Sequence, residues 1–418
     1  MQGDCLTATP SLCIAKLDDD ALRSPPLSIA EPPLPQTQIS VIVPVRDEAE
    51  TLPKTLLALV NQNDFGGRCL DARTYEIIVF ANNCTDSSAA IARRFARQHP
   101  QVQLHVVEQT LPQPEACIGR VRQLLMDEAY QRLKRLEPHR GIIASTDGDS
   151  QVDRHWIAAI LHEIGQGADA VGGRTVIHRA ERSALDKATK ASYLRFVGYR
   201  YLIKRLEDYL DPDPFDRPPR HYQFFGANFA VTSRMYAQAG GMPPIRTGED
   251  VAFRDAVIGA GARVRHSFLM RVTTSARHQG RTSLGLADRL SQFQALGQRR
   301  QAFLVESAAE IEARLLARRH LRRYWLHTVG GQSPATLSTS RLVRLAGDWA
   351  IPVTDLHRAM EQSLTVGELI QRAEQYQQAC GLWQQRWTKV PIEVAIADLR
   401  LCLDQWRQRR ELRTLVEV

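Results

Sequence analysis

From Ile39 onward the chain alternates short β-branched runs with amphipathic helical ones, and this alternation constrains its fold more than any other feature. "ISVIVPV" (39–45) is apolar without a break, the pattern of a strand covered on both faces. Leu52, Leu56, Leu59 and Val60 then place one apolar stripe along a helix. "YEIIVFA", "VQLHVVE" and "GIIAST" read as further strands. Between and after them come a helix capped near Thr85 that carries Ile91 and Phe95, a long helix from Glu115 to Leu136, and "RHWIAAILHEI" with Asp153 as its N-cap. Strand and helix in turn imply right-handed crossovers and a parallel sheet with helices on both faces. The expected class is α/β: a Rossmann-like, mostly parallel sheet flanked by helices.

Beyond Asp169 the pattern loosens. "DAVGGRTVI" reads as a strand, Ala184 to Leu210 as one long helix, and "DPDPFDRPPR" as a loop, because its prolines forbid both helix and central strand. "QFFGANFAVTS" reads as a strand broken at Gly226, where backbone approaches another group closely. An apolar helical segment follows "GED" (248–250), and "ARVRHSF" is a late strand. From Leu286 the period is helical, with Trp325, Trp383, Trp387 and Trp406 as packing anchors. The Pro- and Ser-rich residues before Gln38 read as a flexible leader. The expected division is therefore 1–38 leader, 39–285 α/β domain and 286–418 helical C-terminal region.

The 418 residues suffice for two or three domains, and a composition 44% hydrophobic and 24% charged is that of a globular chain. No run approaches the roughly eighteen uncharged apolar residues needed to cross a bilayer. Seven cysteines without C-x-x-C spacing suggest neither a disulfide framework nor a zinc knuckle. Both points favour a cytoplasmic protein without a transmembrane segment, leaving peripheral membrane contact open. The formal charge of +8 is diffuse apart from "ARLLARRHLRRYW" near Arg318, which reads more simply as a solvated helix face than as a binding patch.

Ligands of open parallel sheets sit beyond the carboxyl ends of the strands, and the polar clusters lie there: "RDEAE" after the first strand, "NNCTD" after the second, "DGDS" after the fourth. Asp147 and Asp149, one glycine apart, raise each other's pKa unless a cation lies between them. A polar turn explains the triplet in isolation. Its company at the other strand ends argues for a divalent metal.

The ordered set "VIVPVRDEAETL", "NNCTD", "DGD", "GANFAVTSRMYAQAGGM" and "GEDVAF" resembles the family 2 glycosyltransferases of the GT-A fold, over roughly Ile39 to Leu290. The resemblance implies a nucleotide-diphosphate sugar as donor, a hydroxyl acceptor, a divalent metal (Mn2+ or Mg2+) and inversion at the anomeric carbon. Asp149 falls where the family holds the metal, and Asp147 where it reaches ribose or a metal-bound water. Pro44, Arg46 and Glu48 fall on the base and ribose loop. Where many relatives carry adjacent aspartates, this chain has Ala81, Asn82 and Asn83, which puts uridine in doubt; a turn and a nucleotide contact remain equal readings of the two asparagines. Asp250 matches the family's general base, with Glu249 as its neighbour, although acidic residues also suit a helix's first turn. Gly226 and Asn228 fall on the acceptor side. In "TTSARHQGR", His278 is a candidate metal ligand and Arg277 and Arg281 are candidate phosphate clamps.

Two other classes fit the sequence less well. A metal-dependent nucleotidyl or phosphoryl transferase would show a glycine-rich phosphate loop after the first strand, which "VPVRDEAE" is not. A basic nucleic-acid or membrane-surface binder would interleave aromatics with its charge, and the Arg-rich helices do not.

Overall fold

The computed structural model describes residues 24–25, 27–136, 141–276, 285–329 and 339–416. In chain order the first half runs β1 (Ile39–Val45), α1 (Leu52–Val60), β2 (Tyr75–Asn82), α2 (Ser88–Gln98), β3 (Gln103–Gln109), α3 (Ile118–Lys134) and β4 (Ile142–Ser145). It continues with β5 (Gln151–Val152), α4 (Trp156–Gly165), β6 (Ala170–Ile177), α5 (Arg179–Ala184), α6 (Lys187–Leu210), β7 (Phe229–Thr232), α7 (Ser233–Gln238), α8 (Glu249–Gly259) and β8 (Val264–Thr274). These strands form one sheet in the order β3-β2-β1-β4-β7-β6-β8-β5, parallel except where β7 and β5 pair. The expected mostly parallel sheet is present.

Strand alternation divides the core into two layers. Val41 and Val43 of β1, with Ile77 and Val79 of β2, pack on α1, α2 and α4; Ile42, Ile78 and Phe80 face α3, α7 and α8. Burying each such side chain stabilises the fold by about 1.5–3 kcal/mol. One polar group interrupts the sheet. Glu76, fully buried on β2, accepts from Ser40 Oγ at 2.6 Å and takes a two-pronged grip from Arg132 of α3, its closest nitrogen 2.7 Å away. Removing either partner would leave a buried charge unmatched.

The segment before β7 departs from the expected broken strand. Residues 223–228 arch over β6, and only Phe229–Thr232 joins the sheet. Gly172 and Gly173 permit this, since a Cβ on the first would overlap Gln223 O and on the second the Asn228 side chain. The Gln223 side chain then pairs with β6, accepting from Thr175 N at 2.7 Å and donating to Thr175 O at 3.1 Å. The long helix expected over Ala184 to Leu210 is present as α6, which begins at Lys187 with Asp186 capping it through Thr189 N; the short α5 precedes it. Residues 27–34, expected within a flexible leader, lie against α3 and β3: Leu27 N donates to Glu128 at 2.8 Å and Leu34 N to Gln103 at 3.0 Å.

The C-terminal region adds α9 (Leu286–Gln298), β9 (Leu304–Val305), α10 (Ala308–Val329), α11 (Thr339–Trp349), α12 (Val353–Gln362), α13 (Val366–Cys380), α14 (Leu382–Arg386), β10 (Val390–Pro391) and α15 (Ile392–Val416). It shares a core with the first half: Leu206 and Leu210 of α6 pack with Ile311 and Leu315 of α10 and Leu399 of α15. Trp325 and Trp383 are buried as expected and Trp387 and Trp406 are half-buried, while the fully buried Trp349 was not anticipated. The basic run near Arg318 is solvated at His320 and Arg323 but ion-paired elsewhere. Arg314 pairs with Glu306, Arg318 with Glu374 and Arg322 with Asp211, so the run ties α10 to α13 and to the end of α6. No described helix is long and apolar enough to cross a membrane.

His221, fully buried, accepts from Gln223 N through Nδ1 at 3.1 Å and donates from Nε2 to Ser267 O at 3.0 Å, which fixes a neutral tautomer. Burial holds its pKa down at about 3, and burial lowers that of neighbouring His266 as well. A depressed histidine contributes full stability above its unfolded value near 6.5 and loses it as pH falls toward the folded value. Wild-type unfolding free energy should therefore drop by about 2 kcal/mol or more between pH 7 and 5. Urea denaturation of His221→Gln should show a markedly shallower slope; an unchanged slope would remove His221 as a source.

Candidate functional site

The loops after β1 and β2 are stitched together before any ligand is considered. Asp47, at φ 52°, accepts at Oδ1 from Thr85 N (2.6 Å), Thr85 Oγ1 (3.1 Å) and Asp86 N (3.2 Å), and Asp86 accepts from Ala49 N at 2.9 Å. Asp47, Cys84 and Asp86 cluster closely enough to suggest a cation, but these donors account for the arrangement. Glu48 is buried, its carboxylate accepting from Thr51 Oγ1 at 2.6 Å and its N–H donating to Ser88 Oγ at 2.7 Å. Pro44 is buried and Arg46 exposed. Asn83, at φ 49°, bonds Leu111 N and O at 3.0 Å each and accepts from Asn82 Nδ2 at 2.5 Å. That geometry matches the turn reading of Asn83.

The loop after β4 rests on this base. Thr55 Oγ1 of α1 donates to Gly148 O at 3.0 Å, and a Cβ on Gly148 would press within 3.0 Å of Val45 and 3.3 Å of Pro44 O. Glycine therefore lets the two flanking aspartates sit at the end of β1. Asp149 Oδ2 accepts from Ser275 Oγ at 2.7 Å, and its Oδ1 from Ser150 Oγ at 3.2 Å.

Asp147 is bound differently. Arg122 of α3, 5% exposed, directs one nitrogen at Asp147 and another at Glu249, the first residue of α8. The same guanidinium lies against Gly226, where any Cβ would overlap it. Gly226 N in turn donates to Asp250 Oδ2 at 2.9 Å, and Gly226 O accepts from Ser145 Oγ at 2.7 Å. One cation thus gathers Asp147, Glu249, Asp250 and Gly226 from three separate chain segments. Burial pushes the carboxyls of Glu249 and Asp147 up, against the pull of Arg122. Burial disfavours the Arg122 cation, but the charges of Asp147, Glu249 and Asp250 outweigh this and raise its pKa.

Asn228 does not join this group. It is fully buried, accepting from Trp156 Nε1 at 2.9 Å and donating to Met270 O at 3.3 Å, which ties the arch to α4 and β8. Arg277, His278 and Arg281 lie outside the described residues. Sequence reasoning missed Arg122, Ser275 and Ser145. The signal for Arg122 was present: a charged residue within the buried stripe of α3, flanked by Val121, Leu124 and Leu125.

The helix carrying Glu249 and Asp250 is fixed at its far end by the C-terminal region. Thr365 Oγ1 donates to Gly259 O at 2.6 Å and Gln371 Nε2 to Asp255 O, while α13 approaches so closely that a Cβ on Gly367 would overlap Ile258 O. Gly367→Ala should cost about 1–3 kcal/mol in urea denaturation, as overpacking does; a loss under 0.5 kcal/mol would show that the contact yields freely. Arg122→Gln, which leaves three carboxylates without their cation, should cost about 3–5 kcal/mol. A loss below about 1 kcal/mol would mean that another group holds them.

Residues 40–218 match the family model Glycosyl transferase family 2. The match spans a little under half of the chain. A curated relative, Glycosyltransferase AglE of Haloferax volcanii, is 28% identical over 137 residues, 32% of this chain and 38% of that protein. The matched segment is thus well under half of the relative's length. Among solved structures the chain is similar to S. aureus TarS 1–349 in complex with UDP-GlcNAc (14% identity, 82% of this chain and 92% of that one, TM-score 0.42). It is also similar to the mannosyltransferase PcManGT from Pyrobaculum calidifontis with GDP-Man and Mn2+ (15% identity, 90% of each chain, TM-score 0.39).

Proposed function

We propose that the chain is a glycosyltransferase that moves a sugar from a nucleotide-diphosphate sugar to an acceptor hydroxyl, with inversion, and that residues 39–285 are its catalytic domain. The observation that carries this reading is the gathering of Asp147, Glu249, Asp250 and Gly226 around Arg122, beside Asp149, at the carboxyl end of β4, where the matched segment 40–218 meets residues that follow it.

The nucleotide would lie at the mouth of β1 and β2, near Pro44, Arg46, Glu48 and Asn82. The donor set fits a hard divalent cation, Mn2+ or Mg2+: Asp149 and Asp147 offer carboxylate oxygens, and Asp149 is already oriented by the hydroxyls of Ser275 and Ser150. Bound there, such a cation would supply neutralisation of the charge that develops on the leaving diphosphate. Asp250 is the base. Gly226 N–H holds one of its carboxylate oxygens and Val251 N–H the other (2.8 Å), so it is aimed before the acceptor arrives. Glu249, engaged by Arg122, fixes the start of α8 and hence the position of Asp250.

Thermal unfolding of wild type, Asp149→Ala and Asp250→Asn against UDP-, GDP- and dTDP-sugars, with and without manganese or magnesium, tests this. A donor at a hundred times its Kd should stabilise wild type by about 2.7 kcal/mol, only with metal. Asp149→Ala should lose that shift; Asp250→Asn should keep it while sugar transfer slows by roughly a hundred- to ten-thousand-fold. A metal-dependent shift undiminished in Asp149→Ala would overturn the metal assignment.

A further inference from the structure

Among the described residues three arginines are buried, Arg122, Arg132 and Arg220, and all three hold carboxylates. Arg132 with Glu76 and Arg220 with Asp216 are sealed pairs, both partners enclosed. Arg122 is placed differently. Its partner Glu249 is enclosed, but its other partner, Asp147, keeps 33% of its side chain open to solvent. Arg122 engages Oδ1 of Asp147 from the core side, and the carboxylate retains open surface on which a second cation can draw.

A divalent metal shared by Asp149 and Asp147 would come from that open side. Two cations drawing on one carboxylate repel, and burial of one of them weakens the screening between them. Arg122 cannot withdraw. The backbone at Gly226 lies so close to the guanidinium that a Cβ there would overlap it, and Nε is buried without a hydrogen-bond partner. Nor can it shed its charge, because Asp147, Glu249 and Asp250 hold its proton in place.

We propose that Arg122 is a resident counter-cation of the donor site: it satisfies Asp147 in the metal-free protein and competes with the divalent metal for that carboxylate, lowering the affinity for the free ion. It is a positioning residue that acts on the metal through Asp147. The inference rests on the metal site of the reading above and not on the sugar chemistry.

Binding of Mn2+ alone, followed by the electron paramagnetic resonance signal of the free ion at fixed ionic strength, tests it. Arg122→Gln should bind Mn2+ roughly fivefold or more tighter than wild type, since a competing charge is gone. A residue that only held the loop in place would weaken binding when removed. Because this variant leaves three carboxylates without their cation, the comparison is repeated on Glu249→Gln, where one fewer charge is left unmatched. There Arg122→Gln/Glu249→Gln should again exceed Glu249→Gln by roughly fivefold or more. Arg122→Lys keeps the charge and should stay within about threefold of wild type. Thermal melts identify the folded proteins, and equal or weaker binding in either folded comparison would overturn the proposal. Adding Asp149→Ala to Arg122→Gln should abolish the gain; a gain that survives would place the ion elsewhere and overturn it as well. A metal-dependent donor shift without any gain in Arg122→Gln leaves the enzyme reading standing and removes this one. A gain in Arg122→Gln without sugar transfer by wild type does the reverse.

Discussion

A single buried guanidinium holds the working end of this molecule together. Asp147, Glu249 and Asp250 come from the loop after β4 and the first turn of α8, and no backbone connection requires them to meet. Three carboxylates at the end of one sheet repel, and burial enlarges that repulsion. Arg122 reverses its sign. Because the arginine projects from α3, a long helix packed along β1, its position is set by the core rather than by a loop. The carboxylates are thus registered against the least deformable part of the fold. A flat guanidinium can also serve two carboxylates at once, which the point charge of a lysine would do with less fixed geometry.

The remaining architecture supports that arrangement from three sides. Beneath it, Gly148 lets the aspartate loop settle on the end of β1, and Thr55 fastens it. Beside it, Gly172 and Gly173 allow residues 223–228 to cross β6, carrying Gly226 to both Arg122 and Asp250. Behind it, α13 covers the carbonyls at the end of α8. The C-terminal region is therefore continuous with the proposed catalytic unit. Its helices bury α6 on one side and brace α8 on another, so loss of these helices would expose the apolar face of α6 and free the helix that bears Asp250.

What was legible in the sequence follows from the range over which each signal acts. β1 to β4 and their helices could be read because periodicity is local, and the motif residues because they sit at strand ends. Arg122 was not read, since its partners are 25 and 127 residues away and only tertiary structure shows that its face of α3 is buried. Asn228 was read as an acceptor-side residue, yet its amide satisfies the indole of Trp156 inside the core. The paired glycines of β6 read only as part of a strand, because the atoms that crowd them come from a segment about fifty residues later. Residues 27–34 lacked periodicity, but their hydrogen bonds with Glu128, Arg132 and Gln103 need none.

The net charge of +8 changes meaning once the cations are placed. The densest basic run was the natural place to seek an anionic partner. Three of its five arginines are engaged internally, by Glu306, Glu374 and Asp211, and serve as ties within the helical region and to α6. Arg174 and Arg200, far from that run in sequence, form no ion pair among the described residues and stand on aromatic rings. Density along the chain is a poor guide because opposite charges recruited from elsewhere cancel it, whereas an arginine facing an aromatic ring keeps both its charge and its donors.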